Sequence, residues 1–583
     1  MSIASVSRAV AAVVAACAAT MALAQNTQGD NGNSGGHRVR GHHVLLISID
    51  GMHAVDFRNC AHAGTCPNLA ALGQSGVSYT SASTSKPSDS FPGLMSIVTG
   101  ASPKLLGIYY DVAYDRVLAP PAIDTGNGLL HGTCTTNQPN GTRTEYEEGD
   151  DFDQTHLNGV NDGTATYGRF DGTIQAIDPQ KLVRDPFQNC APVYPWNFVR
   201  TNTIFGVIHA AGGFTAWSDK HPVYAAVSGP TGTTVPSNLD DFYGPEINSN
   251  VINLPGVKTA EGLDCSMIPN NNGGDYTGDF DNIKCYDQLK VNAVLNWING
   301  KNHLGTARQQ VPNIFGMNFQ AVSVGEKLIE SINGQTVKGG YVDGAAKPSA
   351  ALQGEIMFVD GAIGQFVQAL KARHLYDSTT IIITAKHGQS PIDPNRFLPI
   401  PGASGTNGTP PSGVLGPDFL PDSELNQIGP TEDDVSLLWL KPGVSTTDAV
   451  GMLESNATPV GLGQIIYGPQ LAMMFNKPGL PADGGDPRTP DIIVTPNVGV
   501  VYTTSTKKQA EHGGFALDDT NVMLLVSSRG LHARTVMAPV ATAQVAPTIL
   551  ATFGLDPDSL DGVRKEGTPV LPGLDLLGDN HDH

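Results

Sequence analysis

Six times along the chain the sequence settles into a short, nearly unbroken apolar run: Val44–Ile49, Ile314–Phe319, Thr380–Thr384, Val435–Leu440, Ile492–Thr495 and Val522–Val526. A strand with one wet face alternates apolar and polar residues, so runs without alternation predict strands buried on both faces. Between them the period changes. Leu352, Ile356, Val359, Ile363, Phe366 and Leu370 step by fours and threes, which gives a helix one apolar face. Strands alternating with helices predict an α/β fold: a mostly parallel central sheet with helices on both faces. Such sheets hold ligands beyond the carboxyl ends of their strands.

Three stretches break that rhythm. Residues 112–200, 225–280 and 397–430 are dense in Gly, Asn, Asp, Thr and Pro, and read as cap insertions around the frame. No internal repeat of fixed period is present. The opening residues read differently again. Arg8, an apolar stretch over 9–16 and the small-x-small sequence Ala22-Leu23-Ala24 predict an export signal over 1–24, cleaved after Ala24. The stretch is too short for a membrane span, and a lipoprotein box ending at Cys17 is the weaker alternative. A flexible leader over 25–41 then precedes a single catalytic domain over 42–578. The expected location is secreted or periplasmic.

Composition narrows the partners. Hydrophobic content of 40% with charged content of 15% describes a folded chain, and Gly 67 with Pro 41 points to long ordered loops. A formal net charge of -21 argues against a nucleic-acid polymer as partner, because that role needs a concentrated basic surface. Nothing in the pattern speaks to oligomeric state. Six cysteines remain after the signal: Cys60, Cys66, Cys134, Cys190, Cys265 and Cys285. An even number in an exported chain predicts three disulfides, with Cys60–Cys66 and Cys265–Cys285 as local pairs. No CxxC pair occurs, so the cysteines are expected to pin loops and not to hold zinc.

Two segments carry candidate chemistry. The first apolar run ends in Asp50-Gly51, a carboxylate at a strand end beside a residue that lets backbone approach closely. Alone, Asp-Gly is a common turn pair. Downstream, Ser90-Phe91-Pro92 opens a helical segment that Gly100 can close, with Ser90 read as the cap. A hydroxyl at a helix start faces unpaired N–H groups, which favour a phosphate or an alkoxide.

Taken in order, these pieces resemble the type I phosphodiesterase/nucleotide pyrophosphatase family of the alkaline phosphatase superfamily. The resemblance rests on the strand ending in Asp50-Gly51, on Ser90-Phe91-Pro92 with a helix ending Val98-Thr99-Gly100, and on Ala385-Lys386-His387-Gly388. It continues through Glu511-His512-Gly513-Gly514 and Val545-Ala546-Pro547-Thr548, so it spans about residues 42–556. It implies that Ser90 is the nucleophile, and that Asp50, Ser90, His387 and His512 fall on metal-ligand positions. It also implies a small phosphorylated substrate: a phosphodiester, a phosphomonoester or a nucleotide-like phosphate.

The family pattern also fails in places. Where the family carries Asp before His-Gly, this chain has Lys386. In the segment 318–327, Ser323 and Lys327 stand where the family has Asp and His, with Gln320 or Glu326 as the inward residue if the register slips. Gly93 replaces an asparagine that holds a phosphoryl oxygen in the family. About half of the two-zinc ligand set is therefore missing. Two divalent ions against three carboxylates leave one positive charge, and Asp50 with Lys386 and Lys327 leaves the same with no metal. The expectation is that the lysines act catalytically beside Ser90 in place of metal charge. The alternative is one divalent ion, zinc by family, held by Asp50, Ser90 and His387. No organic cofactor is expected. The leading function is a secreted phosphoric ester hydrolase with a covalent phosphoseryl intermediate. A catalytically silent phosphate-ligand binder and a sulfatase-like ester hydrolase are the competing readings.

Overall fold

A computed structural model describes residues 39, 41–125, 129–146, 177–248, 256–267, 276–401, 408–421 and 431–574. The export signal over 1–24 lies outside them, as do most of the leader and parts of each proposed insertion.

The strand His43–Ile49 is buried at every position. Leu45, Ile47 and Ile49 enter one hydrophobic core, Val44 and Leu46 the other. That is why its sequence shows no alternation: both faces of the sheet are covered. The central sheet has eight strands, in the spatial order 534–536, 76–79, 524–527, 379–384, 43–49, 314–319, 216–218 and 241–243. The last five named are mutually parallel, with Ser48 level with both Thr384 and Asn318, and Met317 level with Ser218. Strand Leu524–Ser527 runs antiparallel to both neighbours. The long helix Ala350–Ala372 is capped by Ser349, whose hydroxyl accepts from Leu352 N. All six apolar residues of its predicted stripe are buried.

Two apolar runs went elsewhere. Ser436–Leu438 and Ile492–Pro496 belong to a separate four-stranded sheet with 431–432 and 462–467, antiparallel throughout. The run pattern reports burial on two faces, and a strand between two small cores satisfies it as well as one in the main sheet. Trp439, for instance, packs on one side of that small sheet and Leu438 on the other.

All three disulfides form: Cys60–Cys66, Cys134–Cys190 and Cys265–Cys285. They tie loops, as the absence of CxxC pairs predicts. No described helix is long and apolar enough to cross a membrane.

Candidate active site

Four adjacent parallel strands end at one place, and each delivers polar side chains there. Strand 43–49 brings Asp50, strand 379–384 brings Lys386 and His387, strand 314–319 brings Asn318 and Gln320, and strand 216–218 brings Asp219 and Lys220. The last strand end is pinned from behind, because His221 Nδ1 lies 2.8 Å from Glu246 Oε1. The end at Gln320 is fixed from the helix Phe280–Ile298, where Asp287 accepts from Gln320 N and Ala321 N at 2.8 Å each.

Above these ends sits the helix Ser90–Thr99, buried along its whole length. Its cap is Asp89 and not Ser90: the Asp89 carboxylate accepts from Phe91 N, and Ser90 is the first helical residue. The expectation of Ser90 as cap is corrected by one position. Asp89 does the capping, which leaves the serine hydroxyl turned toward the strand ends. Gly100 closes the helix in the left-handed region at φ 71, as the sequence predicts. Gly93 has a structural reason. A Cβ there would lie 2.2 Å from the carbonyl oxygen of Lys386, so the helix can rest on that strand end only with glycine.

Ser90 Oγ lies 3.1 Å from His387 Nε2 and accepts from Lys220 Nζ at 3.2 Å. The other ring nitrogen of His387, Nδ1, lies 3.0 Å from the carbonyl oxygen of Gly388. A carbonyl only accepts, so Nδ1 carries the proton and Nε2 offers a lone pair to the serine O–H. Burial, only partly offset by Asp50, takes His387 down to about 4, which keeps the ring neutral. His512 lies against it, with ring centroids 4.1 Å apart, and burial followed by the neighbouring His387 holds it well below the usual histidine range.

The carboxylates are heavily engaged. Asp50 Oδ2 accepts from Asn318 at 3.1 Å and Gln320 at 2.5 Å, with Lys386 Nζ and His387 Nε2 each 3.8 Å away. Burial alone would raise this acid, but Lys386, His387 and Lys220 outweigh it and bring Asp50 to about 2. Lys386 itself donates to Asp219 Oδ1 at 2.8 Å and lies 4.1 Å over the Tyr224 ring. Asp219 also accepts from Trp217 Nε1 and from the Lys220 backbone N–H. Burial, then Lys386, bring the Lys220 ammonium down to about 8 against the pull of Asp50, Asp111 and Asp89.

The structure therefore brings Asp50, Ser90, Lys386, His387 and His512 together. Lys327 stands apart: its ammonium lies 3.7 Å from Glu511, the residue before His512. Of the inward alternatives, Gln320 reaches Asp50, whereas Ser323 donates to Gln389 and Glu326 accepts from Tyr341. Sequence reasoning missed Asp219 and Lys220. Their signal was the strand-ending segment Trp217-Ser218-Asp219-Lys220-His221, a polar cluster straight after a short apolar stretch.

The family profile for type I phosphodiesterase / nucleotide pyrophosphatase matches residues 44–135 and 338–516. No curated protein sequence matches the chain. Among solved structures, murine ectonucleotide pyrophosphatase/phosphodiesterase 5, as an inactive variant in complex with AMP, aligns with TM-score 0.50 at 13% identity, over 88% of this chain and 95% of that one. A second structure of the murine protein aligns at 0.49 and 14% identity, and the human protein at 0.45 and 13%, each over 88% of this chain and 95% of theirs. At 13% identity the first establishes a common fold.

The family depends on divalent metal. The residues around Ser90 do not fit a metal pair. Asp219 is taken up by Lys386, Trp217 and its own neighbour's N–H, and Asp50 Oδ2 by two amides. Asp50 Oδ1, Asp89 Oδ1, Asn318 Oδ1 and His512 Nδ1 are site atoms buried without a hydrogen-bond partner among the described residues. An ammonium already occupies the position next to Ser90 Oγ. Among the described residues, one group of three metal-ligating side chains has its donor atoms within 4.8 Å of one another: His53, Asp56 and Glu326. It lies on the other side of the His387 loop, joined to it through Gln389. The chain belongs to the type I phosphodiesterase/nucleotide pyrophosphatase family of hydrolases, within the alkaline phosphatase superfamily.

Proposed function

We propose that this protein is an exported phosphoric ester hydrolase in which Ser90 attacks phosphorus. The observation that carries the reading is the 3.1 Å contact of Ser90 Oγ with the lone-pair nitrogen of a neutral His387. Nucleophile, base and a third group that orients the base form the arrangement that activates a hydroxyl. The Ser90 proton passes to His387 Nε2 as the Oγ–P bond forms and the P–O bond to the leaving group breaks. The departing oxygen takes its proton from water. A second water then attacks the phosphoseryl phosphorus and releases a proton to solvent, while His387 returns its proton to Ser90 Oγ. His512 Nδ1, 3.5 Å from Asp89 Oδ1 and without a hydrogen bond, serves as a second proton carrier beside His387. Lys386 holds Asp50 and Asp219 in register, and Lys327, paired with Glu511, contributes its field at His387 and His512.

The substrate is a phosphodiester or nucleotide-like phosphate, in keeping with the family and with the AMP bound by the murine neighbour. Three disulfides support an oxidising compartment, which fits the export signal read over 1–24. One observation favours a second reading, a catalytically silent binder: Ser90 has 0% exposure. Trapping decides between them. Brief reaction with a ³²P-labelled diester, quenched in acid, is expected to leave label on wild type and none on Ser90→Ala. Absence of label and of turnover in wild type would leave the binder.

A further inference from the structure

We infer that Lys220 is a further catalytic residue, whose ammonium supplies at the serine oxygen the positive charge that the family draws from divalent ions. The inference rests on the Ser90 reading and deepens it. Lys220 lies between the two segments matched by the family profile, so its assignment owes nothing to that match. Its Nζ donates to Ser90 Oγ at 3.2 Å, and the residue is 8% exposed. Asp219 fixes it by accepting from its backbone N–H at 2.9 Å.

Charge and donors both leave this role to Lys220. Two ammonium groups, Lys386 and Lys220, stand against the buried carboxylates Asp50 and Asp219, with Asp89 and Asp111 also facing Lys220. Lys386 is held by Asp219 and the Tyr224 face, which leaves Lys220 as the ammonium at the nucleophile. The helix start offers less than its N–H groups suggest, because Asp89 takes Phe91 N. A bound phosphodiester brings one negative charge. As the Oγ–P bond forms, Lys220 N–H groups stabilise the negative charge on Oγ and on the adjacent phosphoryl oxygen. Donors aimed at developing charge in a water-free site are among the strongest catalytic contributions.

The test uses the purified full chain with bis(p-nitrophenyl) phosphate as probe, after dialysis against a chelator and elemental analysis for bound metal. The expected result is turnover retained within about twofold after chelation, and a loss of about 100-fold or more in kcat for Lys220→Met. Lys220→Arg should recover part of the rate, and added methylamine should restore part of the Lys220→Met rate. A lysine that only supported the fold would show no amine rescue. Lys220→Met within about threefold of wild type would overturn the inference. So would inactivation by chelation reversed by stoichiometric zinc in a Lys220→Met background. Ser90→Ala keeps the two proposals apart: if it is inactive while Lys220→Met is active, only the lysine inference fails. If Ser90→Ala turns over normally, the nucleophile reading itself fails.

Discussion

Two buried clusters, one on each side of the His387 loop, set a histidine among carboxylates and reach opposite results. Around Ser90, Asp50 and Asp219 face Lys386 and Lys220, and His387 is driven down to about 4. In the second cluster, His53 Nδ1 lies 3.0 Å from Asp56 and 3.2 Å from Glu326, with the Tyr341 hydroxyl 2.8 Å away. No ammonium approaches it in any ion pair among the described residues. Burial pushes both histidines toward neutrality, but at His53 the pull of Glu326 and Asp56 wins and the ring is held well above its usual value. Burial favours the neutral ring at both histidines, and the surroundings decide whether it prevails: at His387 Asp50 offsets it only in part and Lys220 adds to it, whereas at His53 the carboxylates overturn it.

The largest break in that comparison comes from removing a lysine from the first cluster. Lys386→Met leaves Asp219 and Asp50 buried without their cation. Uncompensated buried charge costs about 3–5 kcal/mol, read as a fall in stability by urea denaturation. Adding Asp219→Asn to the same chain removes half of the stranded charge and should recover part of the loss. If Lys386→Met unfolds at the same urea concentration as wild type, the paired-charge account of this centre is wrong.

The second cluster can be tested by its pH dependence. The native pKa of His53 lies above the 6.5 of an unfolded histidine, so the native state binds the extra proton. Its contribution is fully present below pH 6.5 and is lost as pH rises through the folded value. Glu326, raised to about 7 mainly by burial, adds a term of the same sign, lost between its unfolded value of 4.5 and about 7. His53→Asn should thus cost about 1–3 kcal/mol near pH 6, the cost of stranding buried acceptors, and progressively less in alkaline buffer. A cost that grows with pH would mean that His53 is neutral in the native protein.

These clusters also mark how far the sequence could be read. Asp50, Ser90, His387 and His512 were legible because each belongs to a motif whose order along the chain is informative. The frame was legible for a related reason: strands covered on both faces leave runs such as Val44–Ile49, and the stripe from Leu352 to Leu370 leaves a helical period. Lys220 and Asp219 were not legible. They follow a three-residue strand, Ala216–Ser218, whose only signal is a polar cluster after a short apolar stretch, and their importance comes from contacts across the sheet, Asp219 with Lys386 and Lys220 with Ser90. Gly93 read as the loss of a ligand, and only packing against Lys386 O explains it. The strands at 436–438 and 492–496 misled because two-sided burial is local and does not name the sheet.

Lys327 supplies the smallest and sharpest contrast, because the charge count in the sequence placed it beside the nucleophile. Its ammonium instead faces Glu511 at 3.7 Å and is partly open to solvent. Glu511 is brought to about 2 because Lys327 and then Lys508 outweigh burial, so it keeps a second cation when Lys327 is lost. A partly exposed ion pair contributes about 1 kcal/mol or less. Lys327→Ala should therefore shift stability by less than that and leave kcat on the diester probe within a few-fold of wild type. Its remaining influence is long-range and screened, so the small rate effect should shrink further as salt rises toward 0.5 M, where the screening length is only about 4–5 Å. A loss approaching that of Lys220→Met, insensitive to salt, would instead put Lys327 in contact with the reacting phosphoryl group during turnover, and would show that the end of the helix Ala321–Lys327 moves onto substrate.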